Sequence, residues 1–295
     1  MPFRSRLRCA ALDIHLAVRL RDPAPFCVRP PPIHHLLSLP STILAGAFLL
    51  TACAKPALHV DPGPIITDRP DFTESAVTIP LGFTQSEMGS TYTREDGVRS
   101  ISTGETLIRV GVARRVELRI TAPTYTFERS AAGNAEGLED AGLGVKIALH
   151  DGPEQPGSAE PTVAVIVGLS LPSGARPFRS RGALPEVKFL AAWNLTERVS
   201  FGSNINWART EDAGSAYSEW SGSGTFGLAL SERVGAFAEY FAFGGGQAAW
   251  QRREYLNSGL TYLLGSSTQL DARAGVRVRD PGKGVFFGVG VSRRF

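Results

Sequence analysis

The sequence predicts an all-β fold: a transmembrane, antiparallel, up-and-down β-barrel of about 12 strands, closed by its C-terminal strand. Three observations predict it. From residue 84 onward, apolar and polar residues alternate with a period of two. An apolar stretch ending in small residues precedes this body, as in a secreted protein. The chain ends GVFFGVGVSRRF, with Phe287, Val289, Val291, Arg293 and Phe295 on one face and Phe286, Gly288, Gly290, Ser292 and Arg294 on the other. A closed barrel needs such a last strand, because an unpaired edge cannot lie in lipid.

Composition agrees. Of 295 residues, 43% are hydrophobic, and mean hydropathy is near zero. A helical membrane bundle would be far more apolar. A barrel averages out, because half of its strand residues face a polar lumen. Net charge is only +3, with the basic excess in the first thirty or so residues. The sequence therefore predicts no nucleic-acid partner. The cysteines are Cys9, Cys27 and Cys53, and none follows. A cysteine-free body suits an oxidising compartment.

Residues 1–54 read as a signal or targeting region. The apolar run Ile43 to Leu50 is too short to span a membrane as a helix. Two cuts compete. Ala52-Cys53-Ala54 fits cleavage after Ala54, whereas Leu50-Thr51-Ala52-Cys53 resembles a lipobox that would place a lipid on Cys53. Residues 1–32 are rich in Arg and Pro and lack any periodic pattern. The expectation is that they are disordered, or that translation starts downstream near Val28. Residues 55–83 follow as a periplasmic leader or a plug. Within them, DRPDFTES (68–75) concentrates acids around Arg69, which could pair with a lumen carboxylate.

The barrel is expected over 84–295. The strands fall near 84–93, 101–112, 115–126, 138–150, 161–172, 183–195, 198–209, 217–231, 233–243, 250–264, 266–278 and 284–295. A count of ten is the alternative. In EVKFLAAWNL, Val187, Phe189, Ala191 and Trp193 oppose Glu186, Lys188 and Asn194. In VSFGSNINWA, Phe201, Ile205 and Trp207 oppose Asn204 and Asn206. Short turns at 194–198, 230–233 and 264–267 are expected at one end. Longer polar loops at 128–138, 151–160, 173–182, 210–216, 244–249 and 279–283 are expected at the other. Trp193, Trp207, Tyr262 and Phe295 sit near strand ends, where aromatic girdles belong. The soluble rival, a sandwich or lipocalin-like barrel, shares the alternation but would turn its apolar face inward. Arg293 departs from the pattern, on the expected lipid face two residues from the end, where it could snorkel.

Several stretches resemble a bacterial outer-membrane family named for a MetA pathway of phenol degradation. They are ITDRPDFTESAVTIPLGFTQSEMG (66–89), ELRITAPTY (117–125), EDAGLGVKIAL (139–149), LSLPSG (169–174), LPEVKFLAAWNLTERVSFGSNIN (184–206) and QLDARAGVRV (269–278). The resemblance implies an integral outer-membrane barrel and passage of small apolar or aromatic compounds. It supplies no functional residues.

Inward-facing candidates come from the alternation: Glu87, Glu105, Arg109, Glu117, Arg119, Lys146, Glu186, Lys188, Asn204, Asn206, Glu219, Glu239, Asp271 and Arg273. Acids and bases are interspersed, so pairing across strands is expected. Such pairs either rigidify a closed barrel or line a solute path with charge rings. Histidines have no ligand spacing, no Ser/His/Asp constellation is placed, and Gly244-Gly245-Gly246 lacks a phosphate-loop context. No enzyme, cofactor or metal is predicted. The function expected is a channel or transporter for small molecules, with a closed structural or adhesion barrel as the alternative. The expected partners are outer-membrane lipid, the solute and the barrel assembly machinery, which would read Phe295.

Overall fold

The computed structural model describes residues 62–212, 215–244, 252–279 and 283–295. The signal region, the Cys53 alternatives and the glycine run lie outside the described residues or at their margin. The strands are β1 (Thr84–Glu95), β2 (Val98–Ala113), β3 (Val116–Ala122), β4 (Tyr125–Ser130), β5 (Gly133–Leu138), β6 (Ala141–His150), β7 (Thr162–Leu171), β8 (Leu184–Asn194), β9 (Val199–Asp212), β10 (Ser215–Ala229), β11 (Val234–Gly244), β12 (Arg253–Leu263), β13 (Thr268–Arg277) and β14 (Gly284–Arg294).

Twelve of these form one antiparallel barrel, in the order β1, β14 back through β6, then β3 and β2. Pairing of β1 with β2 completes the ring. The seam is β1 against β14, with Gln85 opposite Arg294 and Glu95 opposite Gly284. The last residue extends the seam: Phe295 donates its N–H to Thr84 O at 2.8 Å, and Thr84 returns the bond at 3.3 Å. No strand edge is left open along this seam, which lipid requires.

Strands β4 and β5 stand outside the ring as a hairpin. The 16-residue β2 outruns its neighbour β3, and β4 pairs with the surplus, Arg99 to Thr103. Pro123, which has no N–H for a ladder, separates β3 from β4. The stretch 128–138 was expected to be a loop, and this hairpin corrects that expectation. Its glycines, Gly133 and Gly137, both have positive φ and hide the strand signal. A second correction concerns 151–161, which joins β6 to β7 at the end carrying the short turns. Strands β1 and β2 are joined by Asp96-Gly97 alone, both at positive φ, as a two-residue hairpin turn demands.

The two faces settle the class of barrel. Outward residues are large and apolar: Phe189, Ile205, Phe226, Leu260, Phe287 and Val289 are all more than half exposed. Inward residues are polar and sealed: Glu87, Arg109, Glu117, Lys146 and Ser292 have no measurable exposure. A soluble sandwich would show the reverse. A continuous apolar belt in water would aggregate; in a bilayer it is the contact surface. Arg293 lies outward, as the alternation has it, with its guanidinium 5.5 Å from the Phe295 ring.

Candidate functional site

A barrel of twelve strands is wider than the eight-stranded kind that side chains alone can fill. Here residues 62–83 run inside it. The wall holds this segment chiefly by its backbone. Wall carboxylates accept its N–H groups, and wall cations donate to its carbonyls. Glu87 accepts from the Asp68 and Arg69 amides at 2.9 and 3.0 Å. Glu239 accepts from the Phe72 and Thr73 amides at 2.9 and 2.7 Å, and Glu117 from Ile79 at 2.9 Å. Arg109 donates to the Val77 carbonyl at 2.9 Å, Lys146 to Ser75 at 2.8 Å and Arg273 to Pro70 at 2.9 Å.

Side chains of the segment add ion pairs. Asp68 meets Arg119 at 2.5 Å, Lys146 at 2.9 Å and Arg109 at 3.5 Å. Burial raises its pKa, but Arg109, Lys146 and Arg119 outweigh burial and hold the carboxyl well below the ordinary range. Glu74 bridges Arg119 and Lys188, and Lys188 also meets Glu186 at 3.4 Å. Arg69 reaches Glu105 at 3.0 Å and Asp271 at 3.5 Å. Asp71 is different. Burial raises its carboxyl well above the ordinary range, and the neighbouring Glu239 raises it further.

Every inward candidate from the sequence therefore has a place. Glu87, Arg109, Glu117, Arg119 and Lys146 gather around Asp68. Glu105, Asp271, Arg273 and Glu239 fasten residues 69–73. Glu186, Lys188, Asn204, Asn206 and Glu219 line the β8–β10 wall; Asn206 donates to Ser221 at 3.1 Å, and Glu219 pairs with Arg253 at 2.7 Å. Asn204 accepts from the Glu74 amide at 2.8 Å once its amide is oriented to satisfy both ends.

Alternation did not reveal an aromatic group inside the barrel. Phe72 of the segment stacks on Phe241 with centroids 4.7 Å apart, and Phe241 stacks on Tyr255 at 4.9 Å. Phe243 and Phe286 pack at their edges, and Arg253 lies 4.7 Å over the Phe243 ring. The signal was present in β11, where Phe237, Glu239, Phe241 and Phe243 share one parity.

Open space remains beside the segment. At the end bearing the β4–β5 hairpin lies a cavity of about 460 Å³, lined among others by Glu74, Arg119, Glu186, Lys188 and Glu219. Deeper lies one of about 320 Å³, bounded by Asp71, Phe72, Lys188, Asn206, Phe243 and Arg273. At the end bearing the C-terminus a third, of about 360 Å³, is lined by Arg69, Pro70, Asp71 and the short-turn residues Thr196, Glu197 and Arg198. Arg69 and Asp71 border both the second and the third. Among the described residues, no group of three or more His, Cys, Asp or Glu is placed to hold a metal ion.

A family model and one outer-membrane channel of known structure agree with this architecture. The family described as "Putative MetA-pathway of phenol degradation" matches residues 67–295. An outer membrane channel of Pseudomonas putida F1 superposes with a TM-score of 0.57 at 13% identity, over 77% of this chain and 99% of that one. The KdgM porin gives 0.44 at 14%, over 71% and 99%. The CymD monoaromatic hydrocarbon channel gives 0.39 at 8%, over 73% and 89%. No curated protein sequence matches the chain. With a family match that spans the whole described barrel, and a lipid-facing apolar belt around a polar interior, the chain belongs to the phenol-degradation MetA-pathway family and is an integral outer-membrane β-barrel.

Proposed function

We propose that this barrel passes small molecules across the outer membrane, that its solutes include apolar or aromatic compounds, and that it acts by transport rather than catalysis. One observation carries the reading. Cavities lie inside the barrel on both sides of the segment, and Arg69 and Asp71 border one on each side. A barrel built solely as a scaffold has no need of such space on both sides of the segment. The family description and the inward aromatic rings support aromatic solutes.

The closed structural barrel remains the rival, because the charge network is dense and largely paired. Broken buried pairs are expensive, so the network also rigidifies the fold. The domain reading follows the same lines: residues 1–54 target the chain, 55–83 serve as the plug, and 84–295 cross the membrane. Assembly is proposed to depend on Phe295, read by the insertion machinery, with lipid covering the apolar belt. Uptake into proteoliposomes tests the function. Small aromatic solutes should enter faster than into protein-free vesicles. Equal rates, with the barrel verified as inserted, would favour the scaffold.

A further inference from the structure

A row of arginines crosses the outer face where β1, β2 and β4 meet. Arg94 of β1 lies directly opposite Arg99 of β2, and Arg99 directly opposite Arg129 of β4. All three are exposed, on the parity that turns Tyr92 and Ile101 outward. Neighbouring strands are about 4.8 Å apart, so three cations share roughly 10 Å of wall. Like charges directly opposite one another destabilise a sheet. No acid relieves them here: among the described residues, none of the three meets a carboxylate at ion-pair distance. The acids of the adjoining turn, Glu95 and Asp96, reach Arg277 instead. Glu136, on the outer face of β5, accepts from the Tyr125 hydroxyl. Arg129 does no more than cover the Phe127 ring, at 5.1 Å. Other arginines at this end of the barrel are paired: Arg252 and Arg279 meet Glu254 at 2.8 and 3.2 Å.

The height of the row is telling. Thr84 and Phe295 close the seam at one interface. Arg94 lies ten residues beyond Thr84 on β1. At about 3.4 Å per residue and a tilt of about 40°, that distance is about 25 Å of depth, the height of the apolar band. The longer loops mark this end as the outer one. The row therefore stands at the level of the outer headgroups. Directly beneath it Tyr92, Ile101 and Phe127 face one another in register on the same three strands.

We infer that Arg94, Arg99 and Arg129 bind a phosphate group of the phosphorylated glycolipid of the outer leaflet. Guanidinium forks donate to phosphate oxygens two at a time, and the anion removes the repulsion within the row. The acyl chains of the lipid descend over Tyr92, Ile101 and Phe127. The lipid sits outside the wall, so the inference is independent of what the lumen carries.

The test uses the full chain refolded in detergent, titrated with lipid A and read by native mass spectrometry. One lipid A should bind saturably to each barrel. Lipid A stripped of its phosphates should bind about tenfold more weakly, the worth of one charge-assisted hydrogen bond. Changing the whole row, Arg94→Gln with Arg99→Gln and Arg129→Gln, should abolish that preference. Arg252→Gln with Arg279→Gln, which alters paired arginines at the same end, should leave it intact. Heat-modifiable gel migration checks that each variant is a folded barrel. Equal binding of lipid A and its stripped form would overturn the site, as would an intact preference in the triple variant. Loss of the preference in the Arg252 and Arg279 variant would assign it to overall charge and overturn the site as well. Release of lipid A by millimolar inorganic phosphate would make the row a site for soluble anions and overturn the lipid assignment.

Discussion

Gly89 and Gly290 face each other across the β1–β14 seam, and the guanidinium of Arg69 occupies the space that their missing side chains leave. A Cβ at either position would overlap that guanidinium. The closing seam of the barrel is thus also the seat of the segment inside it. Gly89→Ala should push Arg69 away from Glu105 and Asp271 without opening the ring, since alanine fits a strand. The expected cost is about 1–3 kcal/mol, as for overpacking elsewhere. Hydrogen exchange at residues 68–73 should speed up while strand amides stay protected. Unchanged exchange in the segment would show that Arg69 is not what seats it.

The outer face predicts a different response. Val289 is 61% exposed in mid-strand on the lipid side. A lysine there should destabilise the refolded barrel by about 2–4 kcal/mol. Deleting Phe295 removes one exposed ring and one pair of backbone bonds to Thr84, against a full ladder that remains. Its apolar burial is worth at most about 1.5–3 kcal/mol. Cellular assembly should therefore fall much further than the unfolding midpoint in detergent. A harmless Val289→Lys would contradict the lipid-facing assignment.

Asp71 predicts a pH dependence of fixed sign. Its folded pKa is raised, by burial first and by Glu239 second. Between the ordinary carboxylate pKa and that raised value, the folded segment keeps a proton that the open one releases. Stability from this group is full below the ordinary value and is lost as pH rises through the raised one. Protection factors for the Phe72 and Thr73 amides, which Glu239 holds, should fall with rising pH. Asp71→Asn should flatten the dependence. A slope that survives in Asp71→Asn would place the titration elsewhere.

Much of the barrel was legible because lipid and lumen impose opposite demands on successive residues. In β8, Phe189 and Lys188 differ so sharply that parity alone assigns the faces. Parity fails where both faces are apolar. In β7, Ala164 and Ile166 point inward onto Ala76 and Leu190, while Val165 and Val167 point to lipid. In β11, the inward Phe241 and Phe243 look no different from lipid-facing residues. The hairpin β4–β5 was missed because its glycines blur alternation. The candidate charges were readable one by one, and DRPDFTES pointed to Arg69 as a partner for lumen carboxylates, but the larger share of the grip was not readable. That share falls on the backbone of residues 66–79, whose sequence carries no mark of the carboxylates that hold its N–H groups.

Glu239 offers a direct probe of that backbone grip. It accepts from the Phe72 amide, from the Thr73 amide and hydroxyl, and from Asn257 at 2.8 Å. Glu239→Gln halves the acceptors and sets a donor against one of the amides that the carboxylate now holds. The segment should loosen locally by about 1–3 kcal/mol, the cost of unmatched buried polar groups. Hydrogen exchange at Phe72 and Thr73 reads the change. Exchange as slow as in the unaltered protein would mean that other contacts suffice.

The central claim is that this barrel conducts, and single-channel recording in planar bilayers tests it most directly. The unaltered protein should give reproducible current steps, small because residues 69–71 narrow the interior. Gly89→Ala and Glu239→Gln should give larger steps, or steps that are open for longer, because each loosens that segment. Silent bilayers for all of these, with insertion verified by heat-modifiable migration of the recovered protein, would contradict the account and leave a closed scaffold in its place.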